Sequence, residues 1–234
     1  MRPMEPAPDL NSYPTLPANA SIFTRLRLAM KALRALAEDA GDPYYAPLLH
    51  ACLDGEVFAR LASSWRGGAE GRALLDARPT LQGRELDLEA LAALPDGTLG
   101  HEFVRYFDAN GIEPFVSKYP VASDVDYLSK RYRETHDLFH VITGYGTDGE
   151  GEMELQAFVL GNLGLRQTVL ILVFSIPQML VGKSAAEMRA LLRRIFAAYV
   201  RGRRSREMLS VRYENLWEQP VAALAELLCA PSMA

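Results

Sequence analysis

Cysteine, histidine and long apolar runs are all scarce in this sequence, and each shortage excludes something. Two cysteines, Cys52 and Cys229, lie far apart with no CxxC or Cys/His spacing, so they read as reduced, partly buried thiols of an intracellular protein. No stretch reaches the roughly 20 apolar residues that a membrane span requires. The nearest, TVLILVFSIPQMLV at residues 168–181, is interrupted by Ser175, Pro177 and Gln178. Positive charge is also short: the formal net charge is -4, a mild acidity that argues against nucleic acid as the main partner. Alternating strand patterns and internal repeats are missing. Residues 1–20 contain five prolines, no apolar run and acidic side chains, which fits neither a signal nor a transit peptide and reads as an extended arm.

What is present is helical periodicity. Apolar residues recur from Ile22 and Phe23 through Leu26, Met30, Leu33 and Leu36, and the pattern stops at Gly41 with Pro43 just beyond. Similar patterns cover residues 44–53, 56–65, 88–94 and 99–110, the last closed by Gly111. Residues 124–143 form a further helix, with Ser123 as N-cap, Asp126 three residues on and Gly144 past the end. Helices at 148–163, 185–201 and 220–228 complete the pattern, and RGGAEGR, residues 66–72, reads as a loop. The expectation is an all-α, single-domain multi-helix bundle of nine or so helices over residues 21–234, behind the Pro-rich arm.

His136 and His140, two of only four histidines, lie four apart on the 124–143 helix. Their rings project from one face and can converge on one cation. Asp137 sits roughly 100° round the helix from His136, where it can be a ligand, an orienting partner or a proton-transfer group. The glycine-rich GYGTDGEG segment then lets the chain turn back, bringing Glu150, Glu152 and Glu154 within reach. Glu150 and Glu154 share a face; Glu152 falls on the line of Leu155, Val159 and Leu163. If that line packs against the histidine helix, a buried Glu152 is costly alone and reasonable beside a divalent cation. The bland reading is a pair of hydrogen-bonded histidines and a solvated acidic helix start.

HDLFH, eleven residues and then Glu152 resemble the HDxxH(x)11E motif of the ubiquinone biosynthesis protein four family, the Coq-four type. The resemblance extends to DGTLGHEFVRYFDANGI, RYRETHDLFH and VRYENLWEQPVAALAELL in the same order, across residues 21–228. It implies a metal site made of His136, Asp137, His140 and Glu152, with Asp137 also the catalytic candidate. Zinc comes first by this resemblance, with iron, cobalt or manganese compatible with the ligand types. The implied function is a step of ubiquinone synthesis. In it, a polyprenylated 4-hydroxybenzoate-derived precursor loses its carboxylate at ring carbon one and gains a hydroxyl there. The alternative is a non-catalytic, lipid-binding scaffold for the other ubiquinone enzymes. Implied partners are the prenylated precursor, those enzymes and a membrane surface reached peripherally, with a homodimer left open. A metal-dependent phosphohydrolase using His101 and Asp148 is a weaker rival, since no family-like context surrounds either residue.

The remaining features have plainer readings. The 168–181 segment is expected as a core helix, or else as a helix that lines a path for the prenyl tail or touches the bilayer surface. Arg193, Arg194, Arg201, Arg203, Arg204 and Arg206 are expected on a solvated, salt-bridged face, His101 at the surface or a helix cap, and His50 as bland. Tyr213 and Trp217 are expected to clamp the last helix to the core. Arginines outnumber lysines 21 to 4. With no leader recognised, this favours a bacterial cytoplasm, peripheral to the inner membrane, over the matrix side of a mitochondrial inner membrane.

Overall fold

Caps set where the helices begin. Ser123 accepts from the Asp126 amide while the Asp126 carboxylate accepts from the Ser123 amide, a capping box that starts one helix at Asp124. Ser184 and Glu187 do the same sixty residues on. Asp87 and Asp148 cap two more, each such cap contributing about 1 kcal/mol. The computed structural model describes residues 15–38, 44–82, 86–114, 116 and 120–231. Among these, eleven α-helices follow in order: α1 (Ile22–Glu38), α2 (Tyr45–Leu53), α3 (Gly55–Gly67), α4 (Ala69–Ala77), α5 (Leu88–Ala92), α6 (Leu99–Asn110), α7 (Asp124–Thr143), α8 (Gly149–Leu163), α9 (Arg166–Leu180), α10 (Ala185–Arg204) and α11 (Val221–Leu228). Two short 3₁₀ turns, Met208–Ser210 and Tyr213–Asn215, precede α11. No strand occurs among the described residues, so the all-α expectation stands. Residues 1–14 of the expected arm lie outside the described residues, and residues 15–20 carry a turn but no helix.

Two helices organise the core. α7 packs against α2, α3, α6, α8 and α11, and α8 packs closely on α10 and α9. The α8 side chains Leu155, Phe158 and Val159 are fully buried; burial on this scale stabilises by about 2 kcal/mol per side chain. The close α8–α10 contact depends on two glycines. A methyl group added at Gly202 would overlap the Phe158 carbonyl, and one at Gly161 would overlap that of Tyr199. A second, smaller apolar cluster stands apart from this core, made of Ala29 and Ala32 of α1 with Leu48, Leu49 and Cys52 of α2. Leu16 packs against it.

Buried polar groups tie the remote segments together. Arg131 of α7 is fully buried; it pairs with Glu214 at 2.9 Å and donates to the Leu209 and Val211 carbonyls at 3.1 and 2.6 Å. The C-terminal segment is thereby fixed to the histidine helix. Asp54, at the α2–α3 turn, accepts from the Arg166 and Gln167 amides and so caps α9 across the fold. Burial pushes its carboxyl up to about 6.

Several expectations need correction. Eleven helices replace nine or so. Residues 66–72 are not a loop: α3 runs to Gly67, Gly68 is a single-residue break, and α4 begins at Ala69. Gly71 is there because α4 folds back over Trp65, whose backbone leaves no room for a Cβ. The 168–181 segment is not a plain core helix. On α9 only Gln167 and Thr168 are buried, while Val169, Val173 and Phe174 are exposed. Cys52 and Cys229 are free, as expected, and both are buried. Arg194 meets the expectation of a salt-bridged face, pairing with both Glu150 and Glu154. Arg201 departs from it by turning inward to the Thr143 and Ala230 carbonyls and over the Tyr145 ring. Trp217 stacks on Phe103 at 5.6 Å. Tyr213, buried in a 3₁₀ turn, donates instead to the Met208 carbonyl at 2.9 Å, so the two rings hold the C-terminal segment separately.

Candidate metal centre

α7 ends at Gly144, whose φ of 78° is a left-handed conformation that glycine adopts without strain. The chain turns there, and Asp148 starts α8 by accepting from the Gly151 amide at 2.7 Å. α8 therefore returns alongside α7. Of the three competing glutamates, Glu150 and Glu154 face α10 and its Arg194, and Glu152 faces the histidines. Leu155, Val159 and Leu163 are buried on its line, as the periodicity required.

Three ligand atoms, one each from His136, His140 and Glu152, lie within 4.8 Å of one another. Glu152 Oε2 is 3.1 Å from His140 Nε2, and Oε1 is 3.6 Å from His136 Nε2. His140 Nδ1 donates to the Tyr145 carbonyl at 2.9 Å. Because a carbonyl only accepts, Nδ1 carries a proton, and Nε2 is the ring atom turned toward Glu152. Asp137 stands outside this trio. Its Oδ1 approaches His136 Nδ1 at 3.5 Å, on the opposite edge of that ring. Tyr106 of α6 stacks on His140 with ring centroids 5.6 Å apart.

The charges in this pocket favour a cation. Burial alone would lower the His136 pKa, but the Asp137 and Glu152 carboxylates outweigh it and hold the imidazole up to about 9. Burial likewise opposes the Glu152 charge, and the two histidines overcome it, keeping this carboxyl well below its ordinary value. A site that grips a proton this firmly also suits a divalent ion, and the nitrogen, nitrogen and oxygen donor set fits zinc or a first-row transition metal. His136 Nδ1 is buried and makes no hydrogen bond of good geometry, so the ring is still short of a partner. Burial, aided by Asp137 and Glu152, pushes the Tyr106 hydroxyl well above its ordinary value, so it remains protonated.

The three residues line one cleft of about 1120 Å³. Its far walls are apolar, with Leu33 and Leu36 from α1, Leu49 from α2, Ile171 from α9, and Ile112 and Val116 beyond α6. His50 was expected to be bland, yet it also lines the cleft: it is buried, hydrogen-bonded to Ser129 at 2.6 Å, and kept neutral with a pKa of about 3, by burial first and then by Arg133 and His136. Gln156, one turn beyond Glu152, was missed as well; its position on the same stripe as Glu152 was the available signal. His101 and Asp148, the phosphohydrolase candidates, do not join the trio. His101 contacts the Leu94 carbonyl and Asp96, and Asp148 is spent as a cap.

An all-α protein with a two-histidine, one-glutamate centre in the wall of a large apolar cleft is the class that this geometry defines. Residues 18–230 match the family described as coenzyme Q (ubiquinone) biosynthesis protein Coq4, and the chain belongs to that family. It is 32% identical over 189 residues to the mitochondrial ubiquinone biosynthesis protein COQ4 homolog of Xenopus laevis, covering 78% of this chain and 65% of the frog protein. The human COQ4 homolog is 32% identical over 179 residues, covering 74% and 66% of the two chains. This chain thus spans just under two thirds of the length of those relatives. The crystal structure of a candidate ubiquinone biosynthesis protein from Nostoc punctiforme superposes with a TM-score of 0.69 at 27% identity, covering 87% of this chain and 95% of the other.

Proposed function

We propose that the protein acts in ubiquinone biosynthesis as a divalent-metal-dependent enzyme. Its substrate is a polyprenylated 4-hydroxybenzoate-derived ring, from which the carboxylate at carbon one leaves as CO₂ and is replaced by hydroxyl, a change that also requires a two-electron oxidant. The observation that carries this reading is the convergence of His136, His140 and Glu152 in the wall of an apolar cleft of about 1120 Å³. These three residues would hold the metal. Once bound, a divalent cation supplies Lewis-acid stabilisation of the negative charge that builds on the ring as CO₂ departs. Asp137 would hold the His136 ring and take part in proton transfer. The apolar walls would take the prenyl tail, each buried CH₂ contributing about 0.8 kcal/mol, and exclude water from the ring.

The scaffold reading rests on a different observation. Ile22 and Phe23 of α1 and Val173 of α9 are 72%, 82% and 60% exposed, large apolar side chains on two helices that also line the cleft. Such a surface suits a membrane face at which the other ubiquinone enzymes would gather. No described helix is long and apolar enough to cross a membrane, and a peripheral position at the bacterial inner membrane or its mitochondrial equivalent accommodates both readings.

Lipid mass spectrometry of a strain lacking the protein tests the proposal. A carboxylated prenylphenol should accumulate, wild type should clear it, and His136→Ala or Glu152→Gln should not, although both variants remain folded by circular dichroism. Restored quinone synthesis by both variants would overturn the enzyme reading in favour of the scaffold.

A further inference from the structure

Gln156 lies on α8 one turn after Glu152, is buried, and lines the same cleft. Its Nε2 donates to Glu152 Oε1 at 2.7 Å. This contact decides which way the amide points, because a carboxylate oxygen held between imidazoles only accepts, so the atom facing it must be the NH₂ group. The carbonyl oxygen, Oε1, is then the free end. It is buried and receives no hydrogen bond from any group among the described residues. Buried acceptors without a donor are rare in folded proteins, since the group has given up water for nothing. Tyr106 and Tyr132 line the cleft too, and neither hydroxyl reaches it.

The chemistry around this oxygen says what it can take. It is a neutral acceptor flanked by the Glu152 carboxylate, with Asp137 in the same cleft. At Gln156 Oε1 itself a ligand carboxylate would meet another acceptor, whereas an O–H donor would satisfy this unpaired atom. We propose that Gln156 determines specificity by accepting a hydrogen bond from the phenolic hydroxyl of an aromatic ligand while its amide nitrogen holds Glu152 in place. The hydroxyl edge of the ring therefore enters beside Glu152, and the carboxylate edge points elsewhere. That the ligand is a phenol at all rests on the function proposed above; the need for a donor at Gln156 does not.

Equilibrium binding of two soluble rings, 3-geranyl-4-hydroxybenzoate and the same compound lacking the hydroxyl, to the zinc-loaded protein tests this. The wild type is expected to prefer the hydroxylated ring by about tenfold or more, the usual consequence of leaving a buried polar group unpaired. In Gln156→Leu the two rings should bind alike. Gln156→Met, which keeps the length and apolar volume, guards against a packing artefact and should behave the same way, with both variants checked for helicity and zinc content. If the wild type binds neither ring, the phenol reading fails. If it binds both equally, or if the variants keep the preference, the assignment to Gln156 is overturned while the phenol reading stands. A variant that changes only the pH dependence of zinc affinity would show that a metal-bound water, not a ligand hydroxyl, is the donor, and would overturn it too.

Discussion

His140 Nδ1 donates to the carbonyl of Tyr145, the second residue of the turn that α7 makes after Gly144. The same turn that brings Glu152 back to the histidines thus fixes the protonated nitrogen of one of them, so site assembly and ligand tautomer are one structural event. Nitrogen-15 NMR of labelled protein should show His140 keeping its Nδ1 proton on zinc addition while the Nε2 resonance moves. Movement of Nδ1 instead would contradict the assignment.

Metal affinity should be steeply pH-dependent. The two carboxylates hold the His136 proton to a pKa of about 9, and a metal must displace it. Below that value, affinity should rise by about tenfold per pH unit as proton competition weakens, and above it the curve should flatten. Zinc titrations against a competing chelator from pH 6 upward measure the slope; a flat profile over that range would show that His136 is not a ligand.

His50 should make the fold acid-sensitive. Its folded pKa of about 3 lies below the ordinary 6.5, so the unfolded chain takes up a proton that the native state refuses. Stability is fully present above pH 6.5 and declines as pH falls toward 3, with a limiting slope of about 1.4 kcal/mol per unit. Asp54 works in the opposite direction: its raised pKa of about 6 contributes stability at low pH that is lost as pH rises from 3.8 through 6. Urea denaturation of wild type and His50→Gln, compared at each pH, cancels the Asp54 contribution and isolates that of His50. The stability difference between the two proteins should shrink as pH falls.

Arg131→Met should cost about 3 kcal/mol or more. The change leaves Glu214 and the Leu209 and Val211 carbonyls without their donor, and breaking a buried pair from one side leaves the desolvation cost uncompensated. Chemical denaturation gives the value. Limited proteolysis should then cut first in residues 205–220, the segment that this side chain holds.

Local patterns carried much of this molecule and stopped where contacts became long-range. Ser123, Asp126 and Gly144 mark the limits of α7 because caps act within one turn of chain, and Glu152 separates from Glu150 and Glu154 because helical phase is local too. Gly71 was misleading: glycine signals a turn, but here it serves a close approach to Trp65 that only the folded chain brings about. The α9 segment misled for another reason. An apolar face has the same composition whether it is buried or exposed, and Val173 and Phe174 are exposed. Arg131 and His50 had no local signal, since the partners that define them, Glu214 and Ser129, are 83 and 79 residues away.

The separate small cluster of α1 and α2 bears on access to the cleft. Leu33, Leu36 and Leu49 belong to this two-helix unit and form one wall of the cleft, while its own five buried residues cluster separately from the main core. Units with few buried contacts lift away at a fraction of the global unfolding free energy. On the function proposed above, a tail would be admitted beside this small unit, while the endurance of the fold rests with the main core.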